Sequence, residues 1–266
     1  MDSPRNPRIV AARALREPRG RRAAGAFLAE GVHAVQAALD AGFALREVFV
    51  SDDAAERERD LVRALAHRQV VLHTVTDRAL RAVAETTTPQ GVVAVVDAPS
   101  PAGIPPAVQL AVILDDCSDP GNAGTVIRTA DAAGAQLAAF GEGSVDVWSG
   151  KCVRASAGSV FHLPLVVGRP TADVLADLKA AGCQLLATAP DGQDELDELA
   201  DTGALVAATA WLFGSEAHGL PAELVALADR VVRIPIRGRA ESLNLAAAAA
   251  VCLYASARAH RRRGTS

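Results

Sequence analysis

Apolar residues recur along this chain in short blocks, and the spacing between the blocks alternates between strand-like and helix-like. Over residues 27–97, Phe27-Leu28-Ala29-Glu30-Gly31 leads into an amphipathic stretch, Val32 to Ala41, that Gly42 ends as a helix. Val48-Phe49-Val50 reads as a strand, Ala54 to His67 as a charged surface helix, and Val70-Val71-Leu72 as another strand. Thr76 to Ala84 suits a short helix capped by Thr76 or Asp77, and Gly91 to Val96 a buried strand. Prolines 99, 101, 105 and 106 then mark a linker over 98–107.

From Leu110 onward the alternation becomes regular. Strands are predicted at Leu110–Leu114, Gln136–Phe140, Leu163–Val167, Gln184–Ala187, Ala210–Phe213 and Arg230–Ile234. Helical patterns between them include Thr125–Gly134, Thr171–Gly182 and Pro221–Ala228, and an alanine-rich helix runs from Leu245 to Ala257. Such a sequence of elements predicts an α/β fold built on a largely parallel sheet. The expected organisation is a basic N-terminal extension (1–26), a small α/β domain (27–97), the linker, and a larger domain over 108–266.

Composition narrows the picture. Hydrophobic residues make up 50% of the 266 positions and aromatics only 3%, so the cores should be aliphatic. There is no uninterrupted apolar run of about 18 residues and no apolar signal core behind the Arg-rich start, which favours a cytoplasmic protein with no membrane partner. Cys117, Cys152, Cys183 and Cys252 lie far apart without paired spacing, which argues against a metal or disulfide framework. The net charge of −4 is unevenly distributed: seven arginines over residues 1–26 face only Asp2 and Glu17, and four more lie between Arg258 and Arg263. Basic ends on an acidic body favour a polyanion such as RNA.

Gly141-Glu142-Gly143-Ser144 lacks the third glycine of a dinucleotide fingerprint, no phosphate-cradling loop or nucleophile elbow occurs, and the histidines lack metal-ligand spacing. Three other clusters do carry signal, each after an apolar strand. Asp115 to Gly124 opens a helix bearing Arg128; Gly214-Ser215-Glu216 follows Trp211-Leu212-Phe213; Ile234-Pro235 to Asn244 precedes the final helix. Asn122 could cap its helix, as could Ser242 or Asn244, but two polar residues flanking Leu243 exceed what a cap needs. Glu216 stands too far before Pro221 to cap the next helix.

Together the clusters resemble the SpoU/TrmH-type RNA 2′-O-ribose methyltransferases of the SPOUT superfamily. N-x-G-x-x-x-R is met by Asn122, Gly124 and Arg128; G-x-E-x-x-G-[LI] by Gly214, Glu216, Gly219 and Leu220; and I-P-x-x-G-x-x-x-S-L-N by Ile234, Pro235, Gly238, Ser242, Leu243 and Asn244. Asn6-Pro7, the stretch Gly25 to Gly31, and Thr88-Pro89-Gln90-Gly91 resemble the start and exit of the ribosomal-RNA branch's N-terminal substrate-binding domain. The alanine run 246–250 departs from relatives that often show Ser or Val there.

The resemblance implies a SPOUT-type parallel sheet with a deep trefoil knot, a small N-terminal α/β RNA-binding domain, and a homodimer in which the last helix takes part. It implies S-adenosylmethionine as cofactor, held by Gly214, Ile234 and Leu243 with Thr188 and Ala189 nearby. Catalytic roles fall on Arg128, Asn122, Glu216, Ser242 and Asn244. In the family the motif-one arginine handles the ribose hydroxyl with help from an RNA phosphate; a free guanidinium stays protonated to a pH above about 12, which favours positioning and electrostatic work for Arg128 over proton removal. Arg19, Arg21 and Arg22 are the expected phosphate contacts. The expected substrate is 23S rRNA; a tRNA methyltransferase of the same family and a non-catalytic RNA-binding or ribosome-assembly protein are the alternatives.

Overall fold

A computed structural model describes residues 3–100 and 102–263. Met1, Asp2, Pro101 and residues 264–266, which the predicted extension, linker and larger domain include, lie outside the described residues, as do the side chains of Arg262 and Arg263 in the basic tail. The chain forms two compact units, residues 1–100 with 146–162, and residues 101–145 with 163–266.

The first unit opens with two short helices. In α1 (Pro7–Ala14), Pro7 occupies the first turn and the Asn6 side chain accepts the Arg8 N–H at 2.9 Å. Helix α2 (Pro18–Ala24) ends on Gly25, whose φ of +58° suits glycine. Residues 7–24 are therefore no loose extension. Ile9, Ala12 and Leu15 are buried in the same core as Leu28, Phe49, Val75 and Leu80, so apolar burial anchors the basic stretch.

Next come β1 (Ala26–Glu30), α3 (Val32–Asp40), β2 (Leu45–Ser51), α4 (Asp52–Arg57), α5 (Arg59–His67), β3 (Val71–Val75), α6 (Asp77–Val83) and β4 (Val92–Asp97). The single helix expected over 54–67 is broken at Glu58, where φ −104° and ψ 43° leave the helical region. Thr76 caps α6 as expected, accepting from Ala79 N–H. The four strands order as β1-β4-β2-β3; β4 is antiparallel to both β1 and β2, and β2 is parallel to β3.

The second unit begins with β5 (Leu110–Leu114), α7 (Pro120–Ala132) and β6 (Leu137–Gly141). Residues 146–162, with helix α8 (Gly150–Ala155), group with the first unit, although the sequence pattern placed them in the larger domain. Aromatic packing explains this: the Trp148 and Phe161 rings lie 4.8 and 6.0 Å from that of Phe27. The second unit resumes with β7 (Leu165–Arg169), α9 (Thr171–Ala180), β8 (Gln184–Thr188), β9 (Asp194–Glu195), α10 (Leu196–Asp201), β10 (Thr209–Phe213), α11 (Ala222–Val225), β11 (Arg230–Arg233) and α12 (Leu245–Arg263). Its seven strands are parallel throughout, in the order β7-β6-β5-β10-β8-β11-β9.

Strand β10 sits centrally, and Thr209–Phe213 is buried at every position. That burial on both faces explains the continuous apolar run in place of an alternating one. The buried Trp211 ring donates from Nε1 to Ser256 Oγ at 3.0 Å, which ties α12 to the sheet. No helix among the described residues is long and apolar enough to cross a membrane.

Candidate functional site

The three polar clusters meet at the carboxyl ends of neighbouring parallel strands, where open α/β sheets leave a crevice. Helix α7 is capped by Asp119, not Asn122: the Asp119 carboxylate accepts the Asn122 N–H at 2.9 Å, and Pro120 takes the first helical position. That cap leaves the Asn122 side chain free, and both its ends are engaged. Its Nδ2 donates to Glu216 Oε1 at 2.8 Å, and its Oδ1 accepts from Asn244 Nδ2 at 3.0 Å. Asn244 in turn caps α12, its Oδ1 accepting from the Ala246 and Ala247 N–H groups. Glu216, Asn122 and Asn244 thus form one hydrogen-bonded chain drawn from three motifs.

Glu216 sits at the tip of a tight hairpin after β10, in which Ser215 and Gly219 pair backbone to backbone. Gly219 has φ +69°, and a Cβ on Gly214 would lie 2.2 Å from the Gly219 carbonyl carbon. Both glycines therefore serve the hairpin. Partial burial by itself would push the Glu216 carboxyl up, but hydrogen bonds from Asn122, from its own backbone and from the Ser118 N–H and hydroxyl outweigh it and hold the group below its ordinary value. Cys117, whose Sγ lies 4.0 Å from Glu216 Oε1, is pushed up to about 12 by burial and then by that carboxylate.

Arg128 stands apart from this chain. It is exposed on α7, and among the described residues no hydrogen bond or ion pair joins it to Asn122, Glu216, Ser242 or Asn244. Glu216 therefore holds Asn122 and Ser118, leaving the guanidinium open to an incoming group.

Beside the chain lies a cavity of about 520 Å³, a size common for small-molecule sites. Thr188, Ala189, Ile234, Ser242 and Leu243 line it; Gly214, expected among the cofactor contacts, does not. Leu243 and Ile236 are 40% and 38% exposed there. Among the described residues, no backbone hydrogen bond within the chain engages residues 234–243. Apolar side chains and uncommitted N–H and C=O groups thus share one wall, as suits a flat heterocycle recognised by main chain. Glu195 is paired with Arg233 at 2.9 Å, and Glu241 leaves the lining with a net negative charge that suits a cationic ligand.

A family model described as the SpoU rRNA methylase family matches residues 109–254, and one described as an MRM3-like substrate-binding domain matches residues 6–94. The chain belongs to the SpoU rRNA methylase family. It is 32% identical over 259 residues to the 23S rRNA (guanosine(2553)-2′-O)-methyltransferase RlmP of Bacillus subtilis, covering 96% of this chain and 97% of the relative. A 23S rRNA (uridine(2479)-2′-O)-methyltransferase of Streptomyces viridochromogenes is 33% identical, with 96% of this chain and 90% of the relative covered. The solved structure of the SpoU methyltransferase AviRb of Streptomyces viridochromogenes, in complex with AdoMet, superposes with a TM-score of 0.86 at 30% identity over 98% of this chain and all of that one.

In this SpoU family member Cys117 and Ser118, which contact Glu216, lie inside the first sequence cluster but drew no role there, and the sequence reading overlooked Glu195 and Arg233 at the cavity. The Asp-Pro pair at 119–120 was the legible sign of the helix start. Among the expected phosphate contacts, Arg19 and Arg22 are exposed, but Arg21 is 6% exposed. Its guanidinium pairs with Asp146 at 2.7 Å and donates to the Leu15 and Arg16 carbonyls at 3.0 and 2.8 Å. Arg21 is a framework residue of the first unit and no phosphate contact.

Proposed function

We propose that the chain transfers a methyl group from S-adenosylmethionine to a ribose 2′-hydroxyl of 23S rRNA. One observation carries this reading: three consecutive residues join the cavity to the polar chain. Ser242 and Leu243 line the cavity, while Asn244 bonds Asn122 and through it Glu216. A ligand in the cavity and a ribose beside Asn122 would then be held by one short segment, which is the proximity that a transfer reaction requires.

The residues fit the cofactor: apolar Ile234 and Leu243 with free backbone for the adenine, and nearby carboxylates for its cationic groups. When bound, it supplies an electrophilic methyl on sulfur. The chain's own residues do the remainder. Glu216 fixes Asn122, Asn122 and Asn244 hold the ribose edge, and Arg128 positions the hydroxyl against an RNA phosphate whose oxygen takes the O2′ proton. With the cofactor bound, an O–C bond would form as the S–C bond breaks, and S-adenosylhomocysteine would be left. The names of the relatives and the match to a substrate-binding domain favour 23S rRNA over tRNA.

The same reading includes a trefoil knot and a cytoplasmic homodimer. Support for threading comes from the path after β11, where the segment 234–244 leads to α12, which packs on α7, β5 and β10. Support for the dimer comes from α12, where Val251 and Tyr254 are 43% and 53% exposed beside a groove of about 630 Å³. The deciding experiment is transfer of labelled methyl to total rRNA and total tRNA, followed by mapping of the modified nucleotide. Label on 23S rRNA at a ribose supports the reading; label confined to tRNA, or to a base, overturns it.

A further inference from the structure

The first unit holds a cavity of about 300 Å³ whose walls come from three separated segments. Glu30 ends β1 and Gly31 precedes α3; Thr86, Thr88 and Gln90 precede β4; and Val153 to Gly158 close the far side. The sequence motifs around Gly31 and Gln90, which the methyl-transfer chemistry does not use, are therefore brought to one place.

Its interior is fixed, and its charged lining residues, Glu30 and Arg154, are paired with each other. The Glu30 side chain is 6% exposed, and its oxygens accept from the Glu85 and Thr86 N–H groups at 2.9 and 3.3 Å and from the Thr86 hydroxyl. Arg154 lies 3.6 Å from Glu30 and 3.1 Å from Glu85, so two carboxylates share one guanidinium. That commitment leaves the lining guanidinium nothing to offer a phosphate.

The rim has a different chemistry. Gln90 Oε1 accepts the Val32 N–H at 3.3 Å, which fixes the amide while its NH₂ has no partner among the described residues. His33 Nε2 faces the Ala157 carbonyl at 3.0 Å; a carbonyl only accepts, so Nε2 carries the hydrogen and Nδ1 of the neutral ring is an acceptor. His33, Thr88 and Gln90 are all exposed, over a floor that includes Ala34 and Val153. Gly31, at φ +98°, leaves room that a Cβ 2.9 Å from Gln90 Oε1 would take.

We propose that this cavity is a slot for one unpaired nucleobase of the RNA substrate. A neutral planar ring suits the small volume and the apolar floor, and donors and acceptors around the mouth match a base edge. Proteins read RNA sequence mainly from such splayed-out bases. The proposal rests on the reading of the chain as an RNA methyltransferase.

The test uses the full chain, a 23S rRNA transcript, and two readouts: filter binding of the transcript and steady-state methylation. Gln90→Glu keeps the acceptor for Val32 but removes the NH₂ donor; His33→Ala removes the opposite rim. Each should weaken transcript binding and raise KM about tenfold, the factor for one lost hydrogen bond, with kcat unchanged. Gln90→Lys separates a base from a phosphate, because an added cation should weaken the first and tighten the second. Binding within twofold of wild type for both Gln90→Glu and His33→Ala, or tighter binding by Gln90→Lys, overturns the slot. Weaker binding by these variants in a protein that methylates no 23S ribose would leave the slot standing and the functional reading refuted.

Discussion

The side-chain nitrogen of Asn244 lies 3.0 Å from the side-chain oxygen of Asn122, although 122 residues separate them. An amide can donate and accept at once, so Asn122 passes the order imposed by the α12 cap on to Glu216, 2.8 Å from its own nitrogen. Asn122→Asp keeps the shape but replaces the donor with an acceptor and sets a second carboxylate against Glu216. Turnover should fall about 100-fold, as expected for a misplaced reacting group, while cofactor affinity stays within a fewfold of wild type. Single-turnover methyl transfer and calorimetry check the two halves; unchanged turnover would remove Asn122 from the site.

Arg128 makes no bond to that chain among the described residues, so its removal should leave the chain's geometry intact. Arg128→Ala is expected to abolish methyl transfer with cofactor binding preserved. Arg128→Lys should recover little, because a lysine lacks the planar fork that holds phosphate and hydroxyl together. A lysine variant active at near wild-type rate would mean that charge alone suffices.

Arg19, Arg21 and Arg22 separate by burial. Arg21→Ala strips the partner from Asp146 and two backbone carbonyls, and should cost about 3–5 kcal/mol of stability, the range for breaking a buried pair. Arg19→Ala and Arg22→Ala should leave the melting temperature unchanged and each lower the salt slope of RNA binding by about 1. Denaturant melts and affinities at several salt concentrations distinguish the two classes. An unchanged slope for both exposed variants would make that surface a bystander.

This contrast also marks how far the sequence was legible. The sheet strands announced themselves because burial on both faces demands continuous apolar runs, as in Thr209–Phe213. Motif residues such as Asn122 and Glu216 were legible because their spacing is local. Arg21 was not: its partner Asp146 lies 125 residues away, and nothing near residue 21 encodes that ion pair. Helices α1 and α2 were hidden for a similar reason, since Ile9, Ala12 and Leu15 are few among charged neighbours and only tertiary packing reveals their burial. Glu195 and Arg233 gave no local signal either, because β9 and β11 bring them together.

Glu216 links the site to pH. Its carboxyl is held below the ordinary value of 4.5, so its stabilising contribution is complete above that value and disappears as pH falls through the lower folded one. The stability difference between wild type and Glu216→Gln should therefore be constant at neutral pH and shrink only in acid below about 4.5. Melts across that range check it; a gap that instead widens toward acid would show that the carboxyl is raised. Cys117 beside it, at about 12, should resist alkylation at pH 8 in the folded protein.

Gly214 is the position at which hairpin folding and cofactor contact can be told apart. The sequence reading assigned it to the cofactor, yet it is absent from the cavity wall, and a side chain there would meet Gly219 at 2.2 Å and the Leu220 nitrogen at 2.4 Å. Gly214→Val must therefore open the Ser215–Gly219 pairing and carry Glu216 away from Ser118 and Asn122. Turnover is expected to fall by more than about 100-fold, while calorimetry should find cofactor affinity changed by less than about tenfold. Equal losses in both would return Gly214 to the cofactor wall, whereas a selective loss of turnover shows that its missing side chain serves to place a carboxylate.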